Sequence, residues 1–253
     1  MEKKIKALFT DLGGTFRIIE PNTAYQYEAK KKIADMVGTD IEPAAFCELL
    51  DRRYDKYREW CLSEMREAPE EELWCKWLVF DYDLDRVKKY AGDLTYEYRQ
   101  VKGVRKVVAH GVETIDALEK RGYKLGIISD LIGTREIDEW LDNDNLRHYF
   151  SAVQLSSVCL LRKPAAGIYL RALEEAGVTA AESAFVGDNL NRDIIGAKRV
   201  GFGLTIAVEY PGTKLKLTEE NKPDVVIHAF EDLLKILPKA PEADLSAAER
   251  PQL

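Results

Sequence analysis

Four short segments of this chain hold the residue types best suited to chemistry: Asp11-Leu12-Gly13-Gly14-Thr15, Ser129-Asp130, Arg162-Lys163-Pro164, and Gly187-Asp188-Asn189 with Asp193 just beyond. Each closely follows an apolar run. Together they supply several carboxylates, a serine hydroxyl and a lysine ammonium. Singly they have ordinary explanations, since an Asp after a strand commonly caps a helix and a Lys before Pro commonly sits in a solvated loop. In an open parallel sheet, however, ligands bind beyond the carboxyl ends of the strands. Four such segments at the strand ends of one sheet point to one site.

The elements that must position them follow from periodicity. Ile5–Thr10 reads as a buried strand running into a loop. After Gly103, strand and helix alternate. Val112–Arg121 is helical, Lys124–Ser129 a strand, Ile137–Leu141 helical, Ala152–Leu155 a strand, and Ala165–Ala176 a helix closed by Gly177. Ser183–Val186 is a strand, Arg192–Val200 a helix closed by Gly201, Leu204–Val208 and Val225–His228 strands, and Phe230–Leu237 the last helix. The connections suit only βα crossovers, which predicts an α/β fold: a Rossmann-like parallel sheet covered by helices on both faces. Thr23–Gln100, rich in Glu, Lys, Arg, Tyr and Trp and without alternation, reads as several helices inserted after the first strand. Expected boundaries are a core over 1–18 and 104–238, an inserted α-helical domain over 19–103, and a disordered tail over 239–253.

Composition narrows the function. With 253 residues, 46% of them apolar, the chain can bury a core without disulfides. A net charge of −7 argues against nucleic acid as a partner but allows a locally positive pocket for a small anion. Cys47, Cys61, Cys75 and Cys159 have no CxxC spacing and read as reduced, mostly buried thiols. The amino-terminal segment does not read as a signal peptide, and no run is long enough to span a membrane. A soluble, cytoplasmic protein, monomeric or homodimeric, is expected. His110, His148 and His228 have no triad or zinc spacing, and neither a P-loop nor a GxSxG elbow occurs.

On these residues the chain resembles the haloacid dehalogenase-like hydrolases, a superfamily of phosphatases and relatives that use an aspartate nucleophile. The first motif of that family, DxDGT after an apolar strand, matches Asp11-Leu12-Gly13-Gly14-Thr15 except at Gly13. The second matches Ser129, the third Lys163-Pro164, and the fourth, GDxxxxD, Gly187-Asp188 through Asp193. The resemblance covers about residues 3–16 and 104–237 and makes the insert a helical cap. It implies a Mg²⁺-dependent phosphatase acting on a small phosphorylated metabolite, with Asp11 forming an aspartyl-phosphate. Asp11, Asp188 and the Gly13 carbonyl would hold the metal, with Asp193 beside it or behind Lys163. Ser129 would bond a phosphate oxygen, Lys163 would offset charge, and Gly13, Gly14, Thr15 and Asp130 would complete the substrate cradle. Mg²⁺ suits such an oxygen-only site.

Two positions depart from the family pattern. Gly13 stands where an acid normally protonates the leaving oxygen, a function whose loss typically costs about 10²–10⁴-fold. Asp130 stands where Asn is common and is expected to turn away and cap the following loop. Gly13 also leaves room for other readings: a catalytically weak binding protein on the same fold, a phosphonate hydrolase with Lys56 as its cap lysine, or a dehalogenase. Trp74 and Trp77, three residues apart, are expected to share a helix face within a cap core of aromatic residues. Arg52, Arg53, Lys56 and Arg58 form a basic cluster, one member of which could hold a substrate carboxylate or second phosphate.

Overall fold

Short runs of β-branched and aromatic residues set the frame. In the computed structural model, which describes residues 4–240, six strands form a parallel sheet: β1 (Ala7–Thr10), β4 (Lys124–Ser129), β5 (Phe150–Leu155), β6 (Ser183–Gly187), β7 (Leu204–Val208) and β8 (Val225–Ile227). The spatial order is β5-β4-β1-β6-β7-β8, so β1 is central. Side chains alternate between two cores. Leu8, Leu125, Ile127, Val186 and Ile206 face Ile115, Leu118, Phe230 and Leu233 on one side. Ala7, Phe9, Ile128 and Phe185 face Ile168, Tyr169, Leu173 and Phe202 on the other. Both faces are therefore apolar, as a sheet covered by helices requires. The expected α/β architecture is observed.

Register places the chemistry. Thr10 lies opposite Ile127 of β4 and Val186 of β6. Asp11 is therefore one step past the end of β1, next to Ser129 and Gly187-Asp188. The chain runs outward through β4 and β5 on one side of β1, then crosses to β6 on the other. That crossing is the switch point where such sheets bind ligands.

Between β1 and β4 lies a feature absent from the sequence reading. Arg17–Glu20 (β2) and Val104–Val107 (β3) pair as an antiparallel ribbon. Four-residue strands of mixed polarity carry no legible alternation. The ribbon's base needs Gly103, which has φ +126° and whose added Cβ would sit 2.5 Å from the Glu20 carbonyl oxygen.

The insert is helical, as expected, with helices Thr23–Val37, Pro43–Glu64 and Leu84–Gln100 around a core of their own. Asn22 caps the first by accepting from the Tyr25 amide, Pro43 opens the second, and Asp83 caps the third through the Asp85 and Arg86 amides. Trp74 and Trp77 do not share a face. Leu73–Leu78 is a π-helix, with the Val79 amide reaching back to the Trp74 carbonyl, and its wider turn separates positions three apart. Trp74 packs on Tyr98, whereas Trp77 packs on Tyr57 and Trp60. Both still belong to the core of the insert.

The insert is fastened to the sheet just before Lys163. Arg66 and Leu161 form an antiparallel bridge, and Arg162 donates to Glu67 at 2.6 Å with both side chains buried. The Glu67 carboxylate also accepts from Ser156 at 2.8 Å and from the Tyr57 hydroxyl. Of the expected tail, Lys239 and Ala240 are described. The Ala240 amide bonds the Arg121 carbonyl, while 241–253 lie outside the described residues. Among the described residues no helix is long and apolar enough to cross a membrane, and the four cysteines are unpaired.

Removing one partner of a buried ion pair leaves an uncompensated charge. Glu67→Ala is therefore expected to cost about 3–5 kcal/mol in urea unfolding. A loss below about 1 kcal/mol would show that the fastening carries little weight.

Candidate active site

The site is built at the carboxyl ends of β1, β4 and β6. Asp11 is buried, and its amide is fixed by a 3.0 Å bond to the Val186 carbonyl. Its Oδ1 accepts two hydrogen bonds of 2.8 Å, from Ser129 Oγ and from Lys163 Nζ. Lys163 is completely enclosed. Its ammonium also donates to the Ile128 carbonyl and pairs with Asp193 Oδ1 at 2.6 Å. Burial alone would lower its pKa, but Asp11 and Asp193 override that and hold the ammonium above its ordinary value.

Asp193 thus stands behind Lys163, and its Oδ2 accepts from the Asn189 amide. Asp11, Asp188 and Asp193 each place one carboxylate oxygen within 4.8 Å of the others. Burial, then the charges of Asp11 and Asp193, push Asp188 up to about 7. Its Oδ1 is buried without a hydrogen-bond partner among the described residues. Carboxylates this close repel unless a cation joins them, so the residues fit a hard, oxygen-ligated divalent ion. Gly14 is part of the fit: at φ +79°, an added Cβ would lie 2.5 Å from Asp188 Oδ2.

Asp11, Gly13, Gly14, Ser129 and Asp130 line one cavity of about 400 Å³. Asp188 borders a second, larger cavity beside Gly14. Thr15 lines neither of these two cavities. It is fully buried, and its carbonyl accepts from Tyr210 at 2.6 Å, which braces the loop. Ser129 gives its hydroxyl to Asp11 and not to an open position. Asp130 does turn away from the nucleophile, but it does not cap the following loop. It takes the Lys163 amide at 2.9 Å and Arg192 Nη1 at 3.1 Å, so it orients the lysine loop. Of the basic cluster, Arg58 reaches the cavity, Arg53 pairs with Asp81, and Lys56 is exposed to solvent.

Sequence reasoning missed most of the positive charge. Arg17, Arg99, Arg105 and Arg192 line the same cavity with Arg58. They come from β2, the helix Leu84–Gln100, β3 and the segment after β6, and no motif links them. Only Arg192, next to Asp193, carried a sequence signal.

The sequence pattern of haloacid dehalogenase-like hydrolases matches residues 44–207. The chain belongs to that family. It is 28% identical over 248 residues to a glyceraldehyde 3-phosphate phosphatase of Pyrococcus furiosus, covering 96% of this chain and 97% of that one. It is 29% identical over 175 residues to pyrophosphatase PpaX of Bacillus cereus, covering 69% and 72%. A solved HAD phosphatase from Thermococcus onnurineus superposes with a TM-score of 0.60 at 26% identity, covering 93% of this chain and 99% of that one. The chain is a phosphatase of this hydrolase family.

Relief of repulsion among the three acids has a measurable sign. Asp188→Asn is expected to raise the melting temperature of metal-free protein, and Mg²⁺ is expected to stabilise the parent but not this variant. Mg²⁺ held by the three acids would stabilise the parent by about 2.7 kcal/mol at a hundredfold excess over Kd. An equal Mg²⁺-dependent shift in both proteins would remove Asp188 from the metal site.

Proposed function

We propose that the chain is a Mg²⁺-dependent phosphatase of small phosphate monoesters that works through an aspartyl-phosphate on Asp11. One observation carries this reading: a buried carboxylate whose Oδ1 is held by both a serine hydroxyl and an enclosed lysine. Both bonds fall on the same oxygen, so Oδ2 is left to attack. The core over 1–18 and 104–238 would carry the chemistry, and the cap over 19–103 would choose the substrate. The names of the relatives support phosphate esters and phosphoanhydrides as the substrate class.

In this mechanism Oδ2 of Asp11 forms a bond to phosphorus in line with the departing ester oxygen, whose bond to phosphorus breaks. Asp11, Asp188 and the Gly13 carbonyl would hold Mg²⁺, whose charge offsets the repulsion between carboxylate and phosphate. Lys163 keeps Asp11 oriented while Asp193 holds the ammonium in place. Ser129 fixes the plane of the nucleophile. Arg192 and its partner Asp130 keep the lysine loop rigid. In the second half, water attacks the acyl phosphate, inorganic phosphate leaves, and the Asp11 carboxylate is regenerated.

Gly13 provides no acid for the leaving oxygen. The backbone is nevertheless ready for one: an added Cβ meets nothing within 4 Å, and the residue is not among the positive-φ positions. The protein should therefore favour esters with weakly basic leaving groups, such as aryl, acyl and anomeric phosphates. Gly13→Asp should speed hydrolysis of simple alkyl phosphates by about 10² or more and flatten the dependence of rate on leaving-group pKa. A parent enzyme that treats primary-alcohol and anomeric phosphates equally would contradict the account of Gly13.

The reading as a whole is tested with p-nitrophenyl phosphate, with and without Mg²⁺. Turnover should require the ion and should fall more than about 10³-fold in Asp11→Asn. Hydrolysis that persists in Asp11→Asn would overturn the nucleophile.

A further inference from the structure

The arginines of the cavity are more numerous than a single phosphoryl group requires. Arg17, Arg99 and Arg105 converge on Glu136, which is their one ion-pair partner among the described residues. Three guanidinium groups thus share one carboxylate in a largely buried place. Burial, then the charge of neighbouring Arg99, pulls Arg105 down to about 10. Arg58 lines the same cavity, and its side chain makes no hydrogen bond or ion pair with any described residue. Of the carboxylates on that wall, Asp11 is bound to Lys163 and Ser129, and Asp130 to Arg192 and the Lys163 amide.

A clamp that only held cap to core would balance its charges, because an excess of buried like charge is costly. This cluster is left positive in a chain whose net charge is −7. Its position is also informative. Arg99 and Arg105 line both the cavity that holds Asp11 and a smaller adjoining one of about 130 Å³, which Asp11 does not reach. They stand where the two spaces meet, beyond the reacting group.

Resting on the phosphatase reading, we propose that the substrate carries a second anionic group, a carboxylate or a further phosphoryl, seated on Arg58, Arg99 and Arg105 while the scissile phosphoryl faces Asp11. Planar guanidinium groups match both anions with paired hydrogen bonds. Arg58 and Arg99 belong to the cap and Arg105 to the ribbon, so an anion bridging them also draws the cap onto the core. The arginines act here as specificity-determining residues, apart from bond breaking.

Three esters test this. Glycerol 3-phosphate has one anion, 3-phosphoglycerate adds a carboxylate, and propane-1,3-diyl bisphosphate adds a phosphoryl. The parent should show kcat/KM at least about tenfold higher for one or both two-anion esters. Preference for 3-phosphoglycerate assigns the subsite to carboxylates, and preference for the bisphosphate assigns it to phosphoryl groups. Arg105→Gln and Arg58→Gln should bring the ratio toward one, chiefly through KM on the two-anion esters, and Arg58→Lys should restore part of it. Arg58 is exposed, so its variants remain informative if Arg105→Gln fails to fold. Equal kcat/KM on all three esters, with phosphatase activity present, would overturn the proposal and leave the phosphatase reading intact. If none of these alkyl esters is hydrolysed, p-nitrophenyl phosphate decides that reading, which fails if the aryl ester is also left intact. Calorimetry on Asp11→Asn then decides the subsite: Arg58-dependent binding of a two-anion ester supports it, and no such binding overturns it.

Discussion

Everything in this protein's site turns on one enclosed ammonium group. Lys163 lies within 2.8 Å of Asp11 and 2.6 Å of Asp193, in a place from which water is excluded. A lysine alone there would lose its proton, and two carboxylates alone would repel each other. Together they offset enough charge for a carboxylate to be buried and oriented at the end of the central strand. The price is rigidity, which the fold provides through β1 between β4 and β6, the Asp130–Arg192 pair behind the lysine loop, and the fastening of Glu67 to Arg162.

The balance is incomplete on the far side, and that incompleteness is where function enters. Asp188 adds a third carboxylate with a buried oxygen that has no hydrogen-bond partner among the described residues, so this end of the site suits a cation. The opposite wall, with its arginines around Glu136, attracts anions. A phosphate ester accompanied by a divalent ion answers both demands. The same contrast explains how an acidic chain can select an anionic ligand: the net charge belongs to its surface, while the field in the cavity belongs to a few oriented guanidinium groups.

How much of this the sequence disclosed depended on whether a residue's neighbours are local. Asp11, Ser129, Lys163, Asp188 and Asp193 each follow a strand or open a helix, and strand periodicity survives in Leu8, Phe9, Ile127, Phe185 and Val186. Their convergence follows from the topology of a parallel sheet. Arg17, Arg99 and Arg105 belong to no local pattern, because only the pairing of β2 with β3 and the placement of the helix Leu84–Gln100 bring them together. Trp77 departs from its spacing for a different reason: an interval of three implies a shared face only at the ordinary helical period, and the chain forms a π-helix there. Asp130 was expected to cap its own loop and instead bonds a backbone amide 33 residues away, a contact no spacing rule anticipates.

The central claim is that the carboxylate beside Lys163 is itself phosphorylated during turnover. It is tested most directly by rapid acid quench of the enzyme mixed with excess aryl phosphate and Mg²⁺, followed by proteolysis and mass spectrometry of the peptide containing Asp11. The account predicts a phosphoryl adduct on that aspartate, formed within the first turnover and decaying as phosphate is released. Steady turnover with Asp11 unmodified at every time point would contradict it.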